Sequence, residues 1–96
     1  MDNETPIILC CGKNGRAVVY GYVDEPPKAG RPVTLRRAKM VLRWPSECKG
    51  LFGLAANGPK SGTRLTPAVQ STTETTWQEW VQVSQAAAEG LDSWQD

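Results

Sequence analysis

The chain has 96 residues, and Leu, Ile, Val and Phe supply only 18 of them, so one small domain spanning 1–96 with a modest core is the expectation. Four Trp, two Met and two Tyr enlarge that core, and a formal net charge of +1 argues against a charge-extended, disordered chain. The sequence has no His, which removes Ser-His and Cys-His nucleophile pairs and most zinc arrangements; no apolar run nears the roughly 18 residues of a membrane span, and no signal-like segment opens the chain.

From Thr5 to Asp24 the pattern predicts two strands joined by a tight turn. Ile7 to Cys11 is apolar, Lys13-Asn14-Gly15-Arg16 contains the Asn-Gly pair of a type I′ hairpin, and Ala17 to Val23 is β-branched and aromatic. Gly21 inside the second strand predicts a bulge or sharp bend. The segment from Glu25 to Pro32 carries three prolines and is expected to be an exposed loop.

A third strand begins at Val33, and its alternation changes phase at Arg36-Arg37. A one-residue phase change turns every later side chain over, so the chain must turn or bulge there. Beyond the corner, Arg37, Lys39 and Arg43 share a face opposite Ala38, Met40, Leu42 and Trp44, the pattern of a strand with one solvated side. Ser46 to Asn57 has helical spacing in Cys48, Leu51, Phe52 and Ala55, with Ser46 as its cap and Asn57-Gly58-Pro59 as its stop. Thr72 to Val83 reads as one late strand, with Trp77, Val81 and Val83 on one face and Trp80 on the other. Ser84 then caps a final helix through Leu91, and Trp94 pins that helix onto the sheet. These elements make an α+β fold: a bent antiparallel sheet or partly open small barrel of four to five strands with one or two short helices.

The order of the charges is more informative than their sum. All 11 basic residues lie between Lys13 and Arg64, where Asp24, Glu25 and Glu47 are the only acids, leaving +8; the first 12 residues carry −2 and Leu65 to Asp96 carries −5. Either the acidic tail folds back on the basic middle or that middle faces an anionic partner, and internal pairing is the favoured outcome.

Few residues suit catalysis. Cys10, Cys11 and Cys48 lack C-x-x-C spacing, and adjacent Cys on a strand point to opposite faces, so buried reduced thiols are expected and no metal site. Asp24, Glu25 and Glu47 have no His or spaced carboxylate for acid-base work. No catalytic residue, metal or cofactor follows, and a non-enzymatic protein is expected. The most suggestive constellation is Arg36, Arg37, Lys39, Arg43 and Lys49 with Trp44 among them. Forked guanidinium groups beside an indole suit phosphate, nucleotide, nucleic acid or an acidic protein surface, with Trp80 as a further anchor.

The strand bearing Gly21 to Val23, the stretch "VTLRRAKMVLRW" from Val33 to Trp44 and the helix from Glu47 to Gly58 with "LFGLAANGP" resemble a family of small tailed-bacteriophage proteins known as a domain of unknown function. The likeness runs from about Ile7 to Trp94 and departs in the longer Thr-rich "VQSTTETTWQEW" segment. It implies a phage accessory protein made in the cytoplasm of a bacterial host. The expected function is a non-catalytic binder that inhibits a host process, with a defence system as the favoured target, through a host protein complex or an anionic nucleotide ligand. The alternatives are a small nucleic-acid-binding protein using residues 31–49 and a phage structural or assembly subunit, with homo-oligomers allowed and membrane association excluded.

Overall fold

The structure, a computed structural model, describes residues 4–95; Asp2 and Asp96, counted in the charge blocks above, lie outside the described residues. Strands β1 (Thr5–Cys11) and β2 (Ala17–Val23) form the predicted antiparallel hairpin. The hydrogen-bonded turn is Gly12 to Gly15, closed by the Gly15 N–H on the Gly12 carbonyl at 3.1 Å. Of the Asn-Gly pair only Gly15 has positive φ, so the turn is not the type I′ turn expected.

Strand β3 (Val33–Arg43) lies beside β2 and carries the predicted bulge. Tyr22 pairs with Arg36 and Tyr20 with Lys39, so β3 spends one residue more than β2, and Arg37 takes the left-handed region at φ 51°. Gly21 stands opposite the bulge because a Cβ there would meet the Leu35 Cβ at 2.8 Å. On its other edge β3 serves two partners: β5 (Val69–Glu74) along its first half and the two-residue β4 (Arg64–Leu65) along its second. Strand β6 (Trp77–Gln82) pairs with β1 at the far side. The sheet is thus antiparallel, open and six-stranded, where four to five strands were expected.

The expected single strand from Thr72 to Val83 is two, divided at Thr75-Thr76, and the halves go to opposite edges of the sheet. A flat array β5-β3-β2-β1-β6 would separate its edges by about 19 Å. Three Cα steps from Glu74 to Trp77 span about 11 Å at most, so the sheet must curl. The packing gives the direction. Ile7, Leu9, Cys11, Val19, Val23, Val33, Leu35 and Ala38 form a buried cluster in which no helix takes part, so the strands themselves fold over it. Trp77 and Trp80 both pack against this concave cluster, because a second bulge places Trp77 opposite Cys11 and Trp80 opposite Leu9. That bulge corrects the expectation that Trp77 shares a face with Val81 and Val83.

The opposite face carries helices α1 (Gly50–Asn57) and α2 (Gln85–Ser93) over Ile8, Cys10, Val18, Tyr20 and Val41, with Leu54, Ala55, Ala87, Ala88 and Leu91 facing them. The Ser84 hydroxyl caps α2 as predicted, accepting from the Ala87 N–H at 3.1 Å, and Trp94 packs on this core. The predicted helix from Ser46 is interrupted: a 3-10 turn, Ser46–Cys48, ends at Lys49 in the left-handed region, and α1 starts afresh at Gly50. The N-cap of that turn is Pro45, where Ser46 was expected, and Phe52, expected inside, is 70% exposed. A Cβ on Gly53 would lie 1.8 Å from the Cys48 carbonyl oxygen, so this glycine is required by the close approach of the two helical segments. Gly53→Ala is expected to lower stability by about 1 to 3 kcal/mol through overpacking, read as a reduced urea midpoint; an unchanged midpoint would show that the turn yields without cost.

Candidate functional site

The seven residues predicted to bind a partner do not form one surface. Arg36 and Arg37 stand at the β3 corner, as expected, but both are engaged. Arg36 binds Glu4 at 2.7 Å and Asp24 at 2.6 Å, and Arg37 forks onto Glu4 at 2.9 and 3.3 Å while its guanidinium lies 4.1 Å from the Tyr22 ring centroid. The two guanidinium groups, Arg37 before Arg36, hold the Glu4 carboxyl below its ordinary range.

Lys39 departs furthest from expectation. It belongs to the face predicted to be solvated, yet it is buried, because the bulge turns it toward α2. Its ammonium donates to the carbonyls of Leu91 at 2.9 Å, Asp92 at 3.0 Å and Trp94 at 3.4 Å, meeting groups that a helix end leaves without partners. Met40 and Leu42, on the face expected inside, are 43% and 56% exposed. Beside Lys39, Tyr20 donates to Asp92 Oδ1 at 2.8 Å and Tyr22 to Oδ2 at 2.5 Å. Burial first, then hydrogen bonding with its neighbours, pushes the Tyr20 phenol far up; burial and Asp92 push Tyr22 up as well. The basic middle and acidic tail do meet here, though through Lys39 on backbone carbonyls and Asp92 on phenols, while Arg36 and Arg37 pair with Glu4 and Asp24.

Trp80 is half-buried in the concave core, and Trp44 is half-buried against the helix-side core. Arg43 and Lys49 remain exposed. The ladder sets Arg43 opposite Arg64 across a register shift that follows Val41. They line a surface cleft of about 600 Å³ together with Ser61, Gly62, Thr63, Trp94 and Gln95. The Lys60 to Thr63 turn shapes it: the Thr63 hydroxyl donates to the Lys60 carbonyl at 2.7 Å, and the Trp94 indole N–H donates to the Thr63 carbonyl at 2.9 Å, fixing the ring at the cleft wall. Nothing in Arg64-Leu65 marks a strand long enough to predict, so the sequence does not bring Arg64 to this cleft, and Trp94, expected only to pin the last helix, also walls it.

The thiols offer little chemistry. Cys10, Cys11 and Cys48 are free and buried. Burial, aided by the nearby Glu74 carboxylate, pushes the Cys11 thiol up to about 12, and burial raises Cys10, so neither supplies thiolate at neutral pH. Among the described residues no three acidic or sulfur groups converge on a metal position, and no helix is long and apolar enough to cross a membrane.

A curled six-stranded sheet backed by two helices, with a cleft walled by arginines and an indole, defines a small α+β domain built around surfaces. The chain matches the DUF6948 family, a domain of unknown function, over residues 4–94, and it belongs to that family. No curated protein and no solved structure matches it. Nothing in the family match ties it to tailed bacteriophages.

Two pH dependences follow. The lowered Glu4 value contributes stability above the ordinary carboxylate pKa of 4.5 that is lost as pH falls through the folded value. Glu4→Gln should therefore melt below wild type at pH 7, with the gap closing as pH drops below 4.5, as checked by thermal melts across pH; a constant gap would mean that packing rather than charge is lost. The raised phenol values act oppositely, contributing below the ordinary value of 10.0 and lost as pH rises past it. Tyr20→Phe should cost about 1 to 2 kcal/mol at neutral pH and lose less than wild type above pH 10, measured by denaturant titration; parallel losses would exclude Tyr20 as the alkaline trigger.

Proposed function

We propose that this domain is a non-catalytic binding protein that engages an anionic partner through its Arg43 end and thereby blocks a process of the cell in which it acts. The observation carrying this reading is Arg43, exposed on β3 and lining a cleft with an indole in its wall. A planar guanidinium fork suits phosphate or carboxylate oxygens, and an aromatic face suits a base or a planar side chain. Lys49 and Lys60, exposed on the segments that flank the cleft, add to the positive field, against Glu47 on the same connection. Arg36, Arg37 and Lys39 leave the proposed site because their donors hold the fold together. Partners of this chemistry are an acidic face on a host protein complex or an anionic nucleotide. The context of a phage accessory protein directed at bacterial defence, acting in the host cytoplasm, rests on the sequence resemblance alone.

Affinity capture from a bacterial lysate, with mass spectrometry of proteins and small molecules, tests the reading. Wild type should retain a partner that Arg43→Glu loses by at least about tenfold, the scale of one desolvated charge contact. A retained nucleic acid would show affinity falling steeply with salt. Identical recoveries from wild type and variant would remove the Arg43 end from the function.

A further inference from the structure

The concave side of the sheet carries a second cleft of the opposite chemistry. It measures about 390 Å³ and is walled by Val19, Ala38, Met40, Pro67 and Val69, with Glu74 as its only charged residue. Met40 and Val69 are 43% and 52% exposed, an apolar pair left open to solvent. Thr72 donates to Glu74 Oε2 at 3.0 Å. That donor orients the group and leaves acceptor positions open, since a carboxylate has about four. Among the described residues no basic side chain lines the cleft.

The strand above this cleft is an unpaired edge. Among the described residues β5 pairs with β3 and with no strand on its other side. Its residues Gln70, Ser71 and Thr73 are exposed and uncharged, and residues 69–74 hold no Lys or Pro of the kind that blunts an edge. A strand added beside β5 would continue the curl and hang alternate side chains over the cleft. An inward carboxylate there penalises an incoming strand that offers an acidic or apolar residue and favours one that offers a cation.

We infer that β5 is a docking edge for an extended protein segment that places apolar side chains on Met40 and Val69 and a Lys or Arg on Glu74. This surface is separate from the Arg43 cleft and selects the opposite charge.

A random heptapeptide display library, panned on the full chain, tests it. Selected peptides should combine alternate apolar residues with a Lys or Arg, and their synthetic forms should slow hydrogen exchange of the amides in residues 69–74. Glu74→Lys should weaken binding at least tenfold. Val69→Lys, at an exposed site that tolerates the change, should also weaken it, while Arg43→Glu leaves it unaltered. Selection of acidic peptides, loss of binding in Arg43→Glu, protection elsewhere in the chain, or no selection at all would overturn the assignment. Self-association abolished by Glu74→Lys, with no peptide selected, would give the edge to a second copy and overturn it likewise.

Discussion

One extra residue in β3 governs how the two faces of the sheet are populated. Before the bulge, Val33 and Leu35 point into the concave core; after it, Ala38 does, with Met40 exposed in the cleft beside it, and Lys39 and Val41 turn to the helices. Without the shift, the Lys39 ammonium would point into the apolar curl and α2 would lose the donor on its last carbonyls. Arg37 holds this irregular backbone in the left-handed region, which disfavours a residue with a Cβ. Its guanidinium is anchored twice, on Glu4 and over Tyr22, so the charge network and the bulge support one another.

That corner explains how a chain with few large aliphatic residues supports two cores. The helices cover one face, and the curl covers the other, so nearly every apolar side chain of β1 and β2 is buried on one side or the other. The polar interior is economical as well: among the described residues no buried side-chain nitrogen or oxygen lacks a partner. The two clefts differ in charge, with arginines at the β3–β4 end and a carboxylate under β5.

Much of the architecture was legible in the sequence, and the failures share a cause. The hairpin, the phase change at Arg36-Arg37, the Gly58 stop and the Ser84 cap are local signals, each carried by a few adjacent residues. The Thr72 to Val83 segment was misread because division at Thr75-Thr76 depends on which distant strand each half meets. Lys39 was misread because alternation reports period and says nothing of what lies above each face; only the end of α2, 52 positions away in sequence, makes a buried ammonium tolerable. Of the predicted site, Arg43 and Lys49 stay on the surface, Arg36 and Arg37 are held there by carboxylates, and only Lys39 turns inward. The Arg64 side of the cleft rests on a ladder two residues long, too short to leave a periodic signature.

The link at Thr75-Thr76 has a consequence for how the molecule assembles. Adjacent antiparallel strands joined by two residues ordinarily zip together as a hairpin within microseconds, but β5 and β6 are not ladder partners. Each must find an edge of a sheet already built from β1, β2 and β3, closing loops back to residues dozens of positions away. Strands β5 and β6 therefore have no local ladder to form, unlike α2, which follows them with its own cap. The entropy of those long loops falls on the step that seals the concave core.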